Sequence, residues 1–90
     1  MAATYTVVLM REEDGRYSVS VPALDGCFTW GKTVAHALRM AEEAIQLYLE
    51  TLQDEGEPIP PDIPHVSLDM TETAEALVRK VTIGEAAPVA

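Results

Sequence analysis

The stretch SVPALDGCFTWGKT, residues 20–33, decides the fold. It sets a proline, two glycines, a lone cysteine and two aromatic rings between a short alternating run and a long amphipathic one. Pro22 cannot donate a ladder hydrogen bond, so the strand leading into it ends there. Gly26 and Gly31 allow a positive φ or a close approach of backbone. Thr33 is a suitable N-cap for a helix starting at residue 34, although His36 stands where a capping box would place Glu or Gln. Phe28 and Trp30 share one strand face by the period of two. Phe28 is expected in the core, and Trp30 either at the core edge or on a contact surface. Cys27, in a short apolar strand around 27–30, reads as a small buried hydrophobe packing with Phe28 under the helix.

Before this junction, residues 16–21 (RYSVSV) alternate: Tyr17, Val19 and Val21 point one way, Arg16, Ser18 and Ser20 the other. That pattern belongs to a half-buried antiparallel strand. Residues 4–10 (TYTVVLM) are rich in β-branched and aromatic types and predict a preceding strand. The polar turn Arg11-Glu12-Glu13-Asp14-Gly15 joins the two as a hairpin.

Beyond the junction, Val34, Leu38, Ala41, Ile45, Tyr48 and Leu52 recur at spacings of three and four, with His36, Arg39, Glu43, Gln46, Glu50 and Gln53 opposite. One apolar stripe on a helix of about 30 Å follows. Gly56 and Pro58 stop it, and Pro60, Pro61 and Pro64 keep residues 57–65 extended. In residues 74–83, Ala74, Leu77, Val78 and Val81 fit a helix, whereas LVRKVTI at 77–83 is β-rich; the favoured reading is a late edge strand at 77–83 after a helical turn at 72–76. Three strands, a helix and a strand make an α+β, β-β-β-α-β two-layer sandwich. The domain is expected over 1–83, with 84–90 a flexible tail, and with one sheet face not fully covered by the chain.

Fifteen acids against six bases leave a net charge of −9 in 90 residues. Phosphate-driven nucleic-acid binding needs a clustered positive face, so direct DNA binding by the chain alone is not expected. An acidic surface suits a basic partner, where charge speeds and selects the encounter. There is no apolar run long enough to span a membrane and no basic-then-apolar leader. Together with a single cysteine, that points to a cytoplasmic setting.

Candidate chemistry is thin. A nucleophilic cysteine needs a neighbouring base, and nothing in the spacing ties Cys27 to His36 or His65. One cysteine and two separated histidines do not have zinc-ligand spacing. Residues 4–10 and 17–21 contain no carboxylate that could join a two-metal site. No catalytic, cofactor-binding or metal residues are assigned. A minimal hydrolase or nuclease using His36, His65 or Cys27 is the alternative reading.

The whole run from the first strand through YSVSVPALDGCFTWGKT, the alanine-rich helix and GEPIP resembles the HicB-like antitoxin family over residues 4 to about 64. The resemblance makes Pro22, Gly26, Cys27, Phe28, Gly31 and Thr33 a structural signature. It implies a partial, degenerate ribonuclease H-like fold without catalytic carboxylates. It also implies a partner, a small basic HicA-type toxin that cleaves mRNA and is neutralised when its active site is covered. The sequence departs from the family pattern at Asp25 and Trp30. The 25 residues after 65 are too few for the DNA-binding domain that many members carry. A homodimer or homotetramer is expected, with Trp30, Leu77, Arg79, Val81 and Ile83 as candidate partner or oligomer contacts.

Overall fold

A computed structural model describes residues 3–65 and 76–83. Its elements run β1 (Ala3–Arg11), β2 (Tyr17–Ser20), β3 (Phe28–Gly31), α1 (Val34–Asp54) and β4 (Ala76–Ile83). The late strand therefore forms where the β-rich LVRKVTI predicted it. Of the helical turn expected at 72–76, Ala76 already belongs to β4. The remainder of that turn and the tail at 84–90 lie outside the described residues.

The four strands form one antiparallel sheet in the order β3-β2-β1-β4. The register pairs Leu9 with Val19 and Val19 with Thr29. On the other side of β1 it pairs Leu9 with Leu77 and Tyr5 with Val81. Directly paired residues share a face, so the odd positions of β1 and β2 line up beneath α1. Tyr5, Val7, Leu9, Val19, Val21, Val81 and Ile83 bury there against Ala37, Ala41 and Ile45. Leu24, from the loop after β2, joins the same cluster.

The centre of the helix stripe is small. Ala37 and Ala41, with Ile45 one turn on, are fully buried, and Val34, Leu38, Tyr48 and Leu49 lie at its margins. Small central residues let the helix axis come close to the sheet. The closest approach is at Gly31, where a Cβ would lie 2.4 Å from the Ala37 backbone nitrogen. Gly31 thus serves close approach inside β3, whereas Gly26 serves the turn before it with φ +77°.

Caps follow the sequence expectations. The Thr33 side chain accepts from the His36 N–H at 3.0 Å. At the other end Glu57 N–H donates to Leu52 O and Gly56 N–H to Gln53 O. Those two bonds satisfy carbonyls that the last turn would otherwise leave unpaired.

β2 reaches only as far as the Ser20–Val8 pair, so among the described residues the first half of β1 has no strand on that side. The proline-rich connector takes that place. Asp62 accepts from the Thr6 N–H at 2.9 Å and from the Thr6 hydroxyl at 2.7 Å, and Lys80 Nζ reaches the same carboxylate at 2.9 Å. The Tyr5 hydroxyl donates to Pro60 O. Burial and the nearby Asp62 charge both raise the Tyr5 phenol above its ordinary pKa.

Consequently the face away from the helix is not bare at its centre. Thr6 and Val8 are buried there, while Phe28, Trp30 and Val78 on the same face stay exposed, so the face is covered only in part.

Candidate functional site

β3 is an edge strand, and its side chains divide by register. Phe28 pairs with Ser20 and Trp30 with Ser18, the two serines on the face away from the helix. Phe28 is 71% exposed. The expectation that it packs in the core beside Cys27 is therefore wrong. Cys27 points in and Phe28 points out, because consecutive residues of an extended chain alternate, and among the described residues no further strand pairs with β3. The bond from Val21 N–H to Cys27 O sets the ladder phase. Residues 19 and 29 then face each other through hydrogen bonds, so the backbone N–H and C=O of Phe28 and Trp30 point outward from the sheet.

Trp30 is half-exposed and held from two sides. The Arg16 guanidinium lies 5.0 Å from its ring centroid. The His36 ring meets it edge-on, with centroids 6.3 Å apart. Each of these partners is itself anchored. Asp14 accepts from the Arg16 backbone N–H at 3.0 Å and from its side-chain Nε at 2.8 Å. Those bonds hold the Asp14 carboxyl below its ordinary pKa. His36 Nδ1 accepts from the Lys32 N–H at 3.0 Å. Asp14 thus orders the arginine that lies over Trp30.

A groove of ≈ 450 Å³ opens between the loop before β3 and the second half of α1. Cys27, Phe28, Ala44, Leu47, Tyr48 and Leu52 line it. The Tyr48 hydroxyl donates to Asp25 O at 2.8 Å, pinning the loop onto the helix at the groove's end. Leu47 is 65% exposed, an aliphatic side chain on the outer side of a helix that is otherwise polar there.

The residues that would carry catalysis are not brought together. Cys27 is buried, and burial pushes its thiol above the ordinary value, which disfavours the nucleophilic thiolate. It precedes β3, whereas His36 lies past the other end of that strand, occupied by Trp30 and Lys32. His65 stands at the end of the described connector. Among the described residues no group of three His, Cys, Asp or Glu side chains is placed to hold a metal ion. No described helix is long and apolar enough to cross a membrane.

The interface candidates on β4 are also redistributed. Val81 and Ile83 are core residues under α1, and Leu77 packs at the margin of the same cluster. The Val81 and Ile83 side chains are buried because they share the face of Tyr5 and Leu9, while Leu77 is half-buried. Arg79 is exposed, and Val78 is the exposed apolar residue of that strand. The sequence reading missed Leu47, Tyr48 and Asp62. Leu47 was legible as a leucine off the apolar stripe, whereas Asp62 carried no local signal.

This arrangement defines a two-layer α+β domain whose distinctive groups are surface aromatics and aliphatics beside an acidic helix. The family described as "HicB_like antitoxin of bacterial toxin-antitoxin system" matches residues 5–84, and the chain belongs to it. It is 53% identical over 58 residues to a UPF0150 protein of Thermoplasma acidophilum, covering 64% of this chain and 84% of that protein. It is similar to a chain of the HicA3 and HicB3 toxin-antitoxin complex, with TM-score 0.68 and 31% identity over 90% of this chain and 98% of that one. The N-terminal domain of the Burkholderia pseudomallei antitoxin HicB shares the fold, with TM-score 0.66 and 24% identity over 90% and 98% of the respective chains.

Proposed function

We propose that this chain neutralises a small, basic, HicA-type mRNA-cleaving toxin by binding it stoichiometrically and covering its active site. Membership of the HicB-like antitoxin family over residues 5–84 carries the reading. The 31% identity to a chain of a HicA–HicB complex supports it, and so does the net charge of −9, which complements a basic partner. The β-β-β-α-β order, with acid-free interiors in β1 and β2, supports descent from a degenerate ribonuclease H-like fold. The reading includes a single unit over 1–83, a cytoplasmic setting, even-numbered self-association and no sequence-specific DNA binding by this chain alone.

The test is co-purification from the native host, followed by an RNA-cleavage assay of the recovered partner with and without this chain. A small basic ribonuclease recovered in stoichiometric amount, and silenced by the chain, is the expected result. Recovery of no such protein, or cleavage undiminished by an excess of the chain, would overturn the proposal.

A further inference from the structure

We infer that the groove between the β3 edge and the second half of α1 is the docking site for a basic protein surface that inserts an apolar side chain between Phe28 and Leu47. This rests on the antitoxin reading and adds to it the surface that is used.

Phe28 and Leu47 are the two most exposed large apolar residues among those described, and both line the same groove. Isolated apolar residues on a surface are ordinary, but two lining one concave site are a place to seat an anchor. Half-buried Tyr48 and Leu52 form further walls, so an inserted side chain would be surrounded rather than merely touched. The site is also held open in a fixed shape. Tyr48 ties the Asp25 loop to the helix, and the Leu24 and Cys27 side chains beneath that loop are buried. A preformed pocket loses little conformational entropy on binding.

Charge selects the occupant. Residues 40–65 contain Glu42, Glu43, Glu50, Asp54, Glu55, Glu57 and Asp62 and not one Lys or Arg. On the helix, Glu43, Glu50 and Asp54 stand four, three and seven positions from Leu47 and are exposed on its solvent side. Glu55 lines the groove itself. A second copy of this chain would bring the same acids against these, which opposes docking. A partner with Lys or Arg flanking a Leu, Met or Phe meets opposite charge at the rim and apolar walls at the centre. That is the usual division of an interface between energetic core and polar rim.

The experiment measures binding of the small basic protein that co-purifies with this chain to the wild type and to three variants. Phe28→Ala and Leu47→Glu should each weaken the complex about tenfold or more, chiefly through faster dissociation, as expected for central anchors. The pair Glu50→Lys with Asp54→Lys should slow association several-fold and flatten its salt dependence. All of these positions are exposed, so folding is checked by circular dichroism and is expected to be unchanged. If the wild type binds and silences the toxin but Phe28→Ala and Leu47→Glu bind equally well, the antitoxin reading stands and the groove assignment is overturned. If Leu47→Glu dissociates an oligomer while toxin affinity is unchanged, the groove is a self-contact and the inference is overturned. If the wild type binds no basic partner at all, both readings fall together.

Discussion

Replacing Asp62 should unfasten the connector from β1, and the structure allows the cost to be worked out. Partial burial would by itself raise the Asp62 pKa. The hydrogen bonds from Thr6 N–H, Lys80 and the Thr6 hydroxyl outweigh it and hold the carboxyl at about 2, against an ordinary value of 3.8. A difference of just under two units corresponds to about 2.4 kcal/mol at ~1.36 kcal/mol per unit. The Asp62 side chain keeps 20% of its surface in water and its Lys80 partner 62%, so solvent screening discounts this to about 1 kcal/mol. Asp62→Asn keeps an oxygen for the Thr6 N–H but loses the charge, and should cost about 1 kcal/mol. Asp62→Ala also leaves the buried Thr6 N–H without its acceptor, a further cost of about 1–2 kcal/mol. The expected losses are thus about 1 kcal/mol for Asn and about 2–3 kcal/mol for Ala. Urea unfolding at pH 7, followed through Trp30 fluorescence and far-ultraviolet circular dichroism, measures both. An Asp62→Ala protein within 0.5 kcal/mol of wild type (a threshold on the order of the effect of a neutral surface substitution) would refute the argument that this carboxylate replaces a missing ladder partner.

The same group dictates a pH dependence. Its folded pKa is depressed, so its contribution is complete above about pH 5 and drains away as pH falls through 3.8 toward 2. The stability gap between wild type and Asp62→Asn should accordingly close on acidification to about pH 2, and a gap unchanged there would contradict the linkage. Gly31→Ala should destabilise by about 3 kcal/mol, because its Cβ would meet backbone atoms of Ala37 at 2.4 Å and the helix must move away. A thermal midpoint equal to wild type would show that β3 and α1 separate without cost. Thr33→Ala removes the cap accepting from His36 N–H and should cost about 1 kcal/mol, with Thr33→Ser restoring most of it. An equal loss in both variants would point away from capping.

Local periodicity settled most of the architecture. The alternation of Tyr17, Val19 and Val21, the stripe from Val34 to Leu52, the cap at Thr33 and the stop at Gly56 are each written within a few residues of where they act. Such signals report how one segment divides between core and solvent. They do not report which neighbour a segment meets. Phe28 shows the difference: its apolar character and its place on a strand predicted burial, but β3 lies at the edge of the sheet, and only the strand order β3-β2-β1-β4 reveals that no other described strand flanks it there. Val81 and Ile83 show the converse, since their register against Tyr5 and Ala3 puts two side chains expected at a contact surface into the core. Asp62 was beyond local reading altogether. It acts on Thr6, 56 residues away in sequence, because β2 is too short to pair with the whole of β1. The charge of −9 and the family signature needed no coordinates, being a sum and a set of short-range patterns. The groove between Phe28 and Leu47 needed all of them, because it exists only where a strand edge and a helix from separate stretches of the chain are packed side by side.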